Sequence, residues 1–215
     1  MEKYIREYCE DFEFSQIEQL SQTISGIDIK IDIFEAWKEI DGLKHYREKA
    51  LVTLTKGDKT YECNFYDEHS YGSSFFPVTI NEKAYLLFRK TLYGFTLLDA
   101  DTLTEAYNYI PENVKKGEES FIITGANQLG KLLIFDGCYW AAPYECYVYD
   151  YEKKLFANIS TTFGIDSLEE IEVKDDTLYI SGYAFIDDEE SKTVEKIISA
   201  EELNTQISEN GVKEI

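Results

Sequence analysis

The fold class is decided by residues 121–160, whose sequence is FIITGANQLGKLLIFDGCYWAAPYECYVYDYEKKLFANIS. This stretch contains four strand-length apolar runs, at residues 121–124, 131–135, 145–150 and 155–159. A turn at 127–130, an aromatic loop and a turn at 151–154 separate the four runs. Short strands joined by turns over about 40 residues are typical of one antiparallel β-meander or propeller blade. The stretch therefore predicts an all-β protein.

Weaker copies of this pattern occur on both sides. We predict strands before it at residues 84–88, 93–98 and 104–110, and after it at residues 171–173, 177–180 and 193–198. In each unit an aspartate ends an aromatic-rich strand and opens a turn: Asp99, Asp150 and Asp187. Such an aspartate accepts hydrogen bonds from the backbone N–H groups that follow it. The copies are unevenly spaced, so they predict an incomplete or small propeller, or an open meander.

Two segments resemble known propeller blades. Residues 127–135, NQLGKLLIF, resemble the turn and second strand of a generic WD-type blade, and residues 98–102, LDADT, are similar to the third-strand exit of quinoprotein-type blades. The resemblance implies blade-like sheets. The Trp-Asp and Gly-His pairs that mark WD repeats are absent. About three units are also fewer than the four that a closed propeller needs, and the resemblance implies no activity.

The N-terminal part is predicted to begin with a helix within the first 26 residues. Ser15 and Glu18 have the spacing of a capping box, and Ile17, Leu20 and Ile24 share one helical face. Isoleucines at every second position from 27 to 33 then predict a half-buried strand. Residues 34–40 fit either a helix or a strand, and residues 50–65 predict a hairpin.

The C-terminus is predicted to end in a short helix, which a second capping box at Ser199 and Glu202 opens and Gly211 closes. A polar, glycine-containing loop before residue 75 suggests two regions. Residues 1–74 would hold the N-terminal helix and β-hairpin, and residues 75–215 the β-meander and C-terminal helix. A single domain is the alternative.

The charge of the chain narrows the range of partners. Its 215 residues include 42 acidic and 21 basic side chains, which gives a net charge of −21. Such a protein repels phosphate backbones and anionic lipids, so we expect neither nucleic acid nor a membrane as partner. A basic protein would be attracted. The N-terminus lacks the apolar run of a signal peptide, and no segment has the ~18 apolar residues of a membrane span, so we expect a cytoplasmic protein.

The cysteines and histidines suggest neither a metal site nor another cofactor. Cys9, Cys63, Cys138 and Cys146 are scattered, which is typical of reduced thiols, although Cys138 and Cys146 could face each other across a hairpin. No Cys-x-x-Cys pair or zinc-like histidine spacing occurs. No cofactor is therefore expected.

The loop at residues 136–146, DGCYWAAPYEC, is the strongest candidate for a binding site. Its candidate residues are Asp136, Tyr139, Trp140, Tyr144 and Glu145. We favour the interpretation that the aromatic rings cover one end of the sheet. The alternative is that they form a recognition surface, where tyrosine and tryptophan are common hot spots.

A second candidate is an acidic surface at a hairpin tip, formed by Asp187, Asp188, Glu189 and Glu190. The run lacks the ligand spacing and central glycine of an EF-hand, so it predicts a solvated turn.

These features favour a non-enzymatic module that binds another protein, because no catalytic set accompanies the aromatic loop and the acidic surface. An immunity-type inhibitor of a basic toxin is a special case. The alternative is a carboxylate-based hydrolase acting on a carbohydrate-like substrate. It would use Asp136 and Glu145, with the three aromatic rings as stacking platforms.

Overall fold

The protein is predominantly antiparallel β-sheet, as the sequence predicts. The computed structural model describes residues 12–66, 75–140, 142–187, 190–213 and 215. Its fifteen strands form four small sheets, named A to D, in which strands adjacent in sequence are also neighbours in space. No closed barrel forms within the described ranges, which is consistent with an open meander. The propeller alternative stays a prediction.

Sheets A and B come first in the chain. The strands of sheet A are β1 (Ser15–Ile24), β2 (Ile27–Ile40), β3 (Leu43–Lys56) and β4 (Lys59–Tyr66). The strands of sheet B are β5 (Phe75–Ile80), β6 (Lys83–Phe88), β7 (Phe95–Asp99) and β8 (Glu105–Tyr109), followed by the short helix α1 (Glu112–Lys115).

Sheets C and D follow. The strands of sheet C are β9 (Ile122–Leu129), β10 (Leu132–Cys138), β11 (Glu145–Asp150) and β12 (Leu155–Asn158), and helix α2 (Ile159–Phe163) comes next. The strands of sheet D are β13 (Ser167–Lys174), β14 (Thr177–Phe185) and β15 (Ser191–Ser199), and helix α3 (Ala200–Asn210) follows them.

The predicted N-terminal helix is wrong for residues 15–24, which form strand β1. Ser25 and Gly26 have φ angles of 53° and 73°, a two-residue turn that folds β1 back onto β2. Leu20, Gln22 and Ile24 are half-buried and alternate with exposed residues, so the observed period is two. The helical spacing from Ile17 to Ile24 does not produce a helix, because these residues pair with β2 instead. Residues 1–11 lie outside the described part.

Residues 34–40 also belong to a strand, so their helical interpretation is wrong. Strand β2 pairs with β3 along the whole length of a long hairpin, from Asp28 opposite Thr55 to Ile40 opposite Leu43. Asp41 and Gly42 close it with φ angles of 52° and 77°. The predicted hairpin of residues 50–65 is confirmed as the pair β3–β4.

The four-strand meander predicted from residues 121–160 is confirmed as sheet C. The run 145–150 is confirmed with its predicted bounds, and the other three strands differ from the prediction at one or both ends. Strand β9 continues to Leu129, so the turn shortens to two residues, Gly130 and Lys131. Strand β12 stops at Asn158, whose side-chain oxygen accepts a hydrogen bond from the Thr161 N–H and so caps helix α2.

The predicted aspartate-capped turn occurs twice with matching geometry. Asp99 ends the third strand of sheet B, and its Oδ1 accepts the N–H groups of Asp101 and Thr102, both at 2.9 Å. Asp150 ends the third strand of sheet C, and its Oδ1 accepts two N–H groups at 2.9 and 3.0 Å. In both turns, the N–H donors belong to the second and third residues after the aspartate.

Asp187 is not an equivalent third copy. It follows the second strand of the three-stranded sheet D, and the N–H group that its Oδ1 accepts is that of Glu190.

The chain divides into two compact units. One comprises Met1–Pro77, Lys83–Ile110 and Val114–Gly117, and the other comprises Val78–Glu82, Pro111–Asn113 and Glu118–Ile215. The first has a core of isoleucines from β2 with Val52, Leu54, Phe65 and Phe88. The second has a core built from sheets C and D with helix α3. The predicted boundary at residue 74 adjoins residues 67–74, which are outside the described residues, and stays a prediction.

The predicted C-terminal helix is confirmed as α3. Ser199 Oγ accepts the Glu202 N–H at 3.2 Å, and Leu203 and Ile207 are the buried residues. No helix in the described ranges is long and apolar enough to cross a membrane.

Candidate functional site

The aromatic loop connects β10 to β11 in the second unit, and its residues make two backbone hydrogen bonds. Within the loop, the Ala142 N–H donates to the Tyr139 carbonyl at 2.8 Å. Where the loop meets β11, the Tyr144 carbonyl accepts the N–H of Leu168 in strand β13 at 2.8 Å. Residue 141 is outside the described part. The first bond closes a turn inside the loop, and the second ties the end of the loop to sheet D.

Tyr139, at 36%, is the least exposed of the three aromatic residues. Its ring meets Phe121 edge to face, with centroids 5.8 Å apart, and Phe121 lies 4.5 Å from the ring of Tyr147. The hydroxyls of Tyr139 and Tyr147 are also hydrogen-bonded. Burial is the main cause that raises the pKa of Tyr147, so its phenol stays neutral.

Trp140 and Tyr144 project from the loop and are 65% and 45% exposed. The favoured interpretation, that these rings cover the sheet end, is therefore wrong for Trp140. Phe121, which is buried, is instead in edge-to-face contact with Tyr139. Trp140, the next residue along the chain, lies outside this packed pair.

The two candidate carboxylates of the loop do not converge. Asp136 lies opposite Cys146 in the β10–β11 register, while Glu145 lies opposite Gly137. Successive side chains of a strand point to opposite faces of the sheet. Asp136 and Glu145 are therefore on opposite faces of sheet C.

Each carboxylate has a different environment. Asp136 Oδ2 accepts a hydrogen bond from Thr124 Oγ1 at 2.9 Å. Glu145 Oε2 is buried and has no hydrogen-bond partner among the described residues. Glu145 shares its face of sheet C with Tyr147, whose pKa it helps to raise.

Cys63, Cys138 and Cys146 are free thiols, and Cys9 lies outside the described residues. The possible pairing of Cys138 with Cys146 is not present. Cys146 lies opposite Asp136, two residues before Cys138, and is fully buried. Burial raises its pKa, so it is an unreactive thiol. No group of three metal-ligating side chains is found within the described ranges.

The acidic run lies at the turn between β14 and β15, with Asp188 and Glu189 outside the described residues. Asp187 Oδ1 accepts the Glu190 N–H at 2.8 Å, and the Glu190 carbonyl accepts the Ile186 N–H at 2.9 Å. Asp187 and Glu190 are thus hydrogen-bonded to each other where β14 leads to β15. Phe185 and Ile186, just before it, are exposed apolar residues that the sequence analysis did not select. The alternation through Tyr183 and Phe185 is the signal that could have found Phe185.

The aromatic loop and the acidic tip lie at the same end of sheet D. Leu168, which bonds the Tyr144 carbonyl, pairs with Gly182 of β14. Asp166 Oδ2, just before β13, accepts the N–H of Phe185 at 2.7 Å. Phe185 is two residues before Asp187 in the chain. The structure therefore brings exposed aromatic rings and acidic groups to one end of the second unit.

Comparisons with protein-family models, curated proteins and solved structures returned no match for this chain.

Proposed function

We propose that the protein is a non-enzymatic module that binds a basic partner protein through Trp140 and Tyr144. The observation that carries the proposal is the 65% exposure of Trp140, in a loop whose Tyr144 carbonyl is hydrogen-bonded to sheet D. Tryptophan and tyrosine are the side chains most enriched among interface hot spots. A hydrogen bond that already holds one end of a loop reduces the conformational entropy that the loop loses on binding.

The energy available from Trp140 is large enough for a hot spot. A tryptophan can bury up to ~250 Å², so the exposed 65% corresponds to roughly 160 Å². At about 25 cal/mol per Å², covering that area contributes on the order of 4 kcal/mol before the costs of association. A net contribution of about 2 kcal/mol or more is therefore expected.

The charge of the protein supports a basic partner. The net charge is −21, and the acidic tip lies at the same end of sheet D as the aromatic loop. Complementary charge accelerates association and disfavours acidic competitors. A basic toxin whose cationic active site is covered by this end of the protein would be one such partner.

The hydrolase alternative has less support. Both mechanisms of glycoside hydrolysis need two carboxyl groups that flank one sugar bond, roughly 5–10 Å apart. Asp136 and Glu145 occupy opposite faces of sheet C, so this pair does not supply that arrangement.

The proposal is tested by affinity purification from the source cells with tagged wild-type protein, Trp140→Ala and Trp37→Ala. Trp37 is the chain's other tryptophan, is 61% exposed and belongs to the first unit, so it is a matched control. We expect a basic protein that wild type and Trp37→Ala retain and Trp140→Ala loses. Titration calorimetry with that protein should show at least about a tenfold loss of affinity for Trp140→Ala, with little change in Tm. If no retained protein depends on Trp140, the proposal is wrong.

A further inference from the structure

Sheet D has an outer face that is distinct from the aromatic loop. On the inner side of its central strand β14, Leu178 and Ile180 belong to the core of the second unit, and Ala184 is also buried. The alternate residues of β14 point to the opposite side. These outward residues are Tyr179, Ser181, Tyr183 and Phe185.

The neighbouring strands extend this outer face on both sides. Tyr179 lies between Glu172 of β13 and Ile197 of β15, which is 70% exposed. Ser181 lies between Glu170 and Glu195. At the end near the acidic tip, Phe185 is 54% exposed. Exposed apolar rings and an isoleucine therefore alternate with carboxylates across the three strands.

The outer face of sheet D is predominantly negative. Glu170, Glu172 and Glu195 belong to it by register, and Glu169, at a bulge of β13, is hydrogen-bonded to the hydroxyl of Tyr183. The basic residue in register on this face is Lys174, at the far end. Lysine and arginine side chains complement such a surface, because carboxylates pair with them and tyrosine rings accept cations.

The dimensions of the outer face match those of an α-helix. Nine residues of β14 extend about 30 Å, and three strands span roughly 10–15 Å. A helix of about 20 residues is ~30 Å long and ~10–12 Å wide with its side chains.

We propose that the outer face of sheet D binds a basic amphipathic helix of a partner protein. The apolar side of the helix would cover Tyr179, Phe185 and Ile197, and its lysines and arginines would pair with the glutamates. The proposed helix site does not include the aromatic loop, so variants of sheet D alone test it.

The test uses a fluorescent helical peptide of about 20 residues, built from leucine and lysine with the lysines on one side. Its binding to the full-length protein is measured by fluorescence anisotropy, and NMR shift mapping locates the site. The variants are Tyr179→Ser, Ile197→Thr and the double variant Glu172→Gln with Glu195→Gln. Trp140→Ala and Trp37→Ala are the controls, and a peptide with glutamate in place of lysine controls for charge.

We expect saturable binding that each sheet D variant weakens about tenfold and that the two tryptophan variants leave unchanged. The shift changes should cluster on β13 to β15. Because Ile197→Thr keeps a β-branched residue in the strand, it remains informative if Tyr179→Ser fails to fold. Binding that is unaffected by the sheet D variants, or that Trp140→Ala removes, would overturn the proposal. A dimer in sedimentation that Ile197→Thr dissociates would also overturn it and assign the face to a second copy of the chain.

Discussion

Replacing Asp99 tests whether the two aspartate-capped turns stabilise the sheets that contain them. Asp99 is only 3% exposed, and its Oδ1 accepts two backbone N–H groups at 2.9 Å. Its Oδ2 forms an ion pair with Lys83 at the start of β6. Asp99→Ala removes all three interactions, whereas Asp99→Asn keeps an acceptor oxygen for the turn.

The expected cost follows from these contacts. A hydrogen bond to a charged group contributes about 1.5–3 kcal/mol. Asp101 and Thr102 are exposed turn residues, so water can partly replace the lost acceptor and the lower end of that range applies. We therefore expect Asp99→Ala to lower the free energy of unfolding by about 3 kcal/mol, and Asp99→Asn by about 1 kcal/mol.

Asp150→Ala should cost a similar amount, because Asp150 is buried and accepts two N–H groups with the same geometry. Asp187→Ala is the control. Asp187 is itself exposed, and its Oδ1 accepts the N–H of Glu190 instead, so a loss of less than about 1 kcal/mol is expected, as for a surface site.

The measurement is urea unfolding at neutral pH, followed by circular dichroism, with calorimetry for Tm. A loss of about 3 kcal/mol corresponds to a fall in Tm of roughly 6–12 °C for a chain of this size. Because each unit has its own core, a change confined to one of two transitions would show that the units unfold separately.

The effect of Asp99 should also depend on pH. The ion pair with Lys83, aided by the backbone N–H groups, lowers the pKa of Asp99 below its ordinary value. Its contribution is therefore complete above the unfolded pKa of about 3.9 and is lost as pH falls from there towards the folded pKa. The gap between wild type and Asp99→Ala should narrow over that acidic range. Equal stability of the two proteins at neutral pH, or an equally large loss for Asp187→Ala, would refute the reasoning.

Two further predictions concern sheet C and the thiols. A Cβ at Gly137 would overlap the backbone carbonyl of Ile122. Gly137→Ala should therefore lower the free energy of unfolding in urea by several kcal/mol, about the upper end of the cost of overpacking. Unchanged stability would show that β9 and β10 are not held this closely. Thiol titration of anaerobically prepared protein in denaturant without reductant should count all four cysteines of the sequence, and a count of two would indicate a disulfide. In the folded protein Cys63 and Cys146 should react slowly, because burial raises the pKa of Cys63 to about 12 and that of Cys146 further.

Much of the fold follows from local signals in the sequence. The alternation from Ile27 to Ile33, the runs within residues 121–160 and the turn-capping role of Asp99 and Asp150 are all present in the structure. Each of these depends on neighbours a few residues away in the chain. A strand's inward side chains and a turn's hydrogen bonds are dictated within such a short span.

The tertiary structure decided the features that depend on partners distant in sequence or on strand register. Residues 15–24 have the spacing of an amphipathic helix, but β2 offers them a hairpin partner, and the pairing outweighs a weak helical preference. Asp136 and Glu145 are nine positions apart, and only the β10–β11 register shows that they occupy opposite faces. Trp140 is 65% exposed, whereas its neighbour Tyr139 packs against the buried Phe121, and no local pattern around Trp140 encodes that difference. Local periodicity determines which strands form, whereas competition for buried space, which involves the whole chain, determines which aromatic side chains remain on the surface.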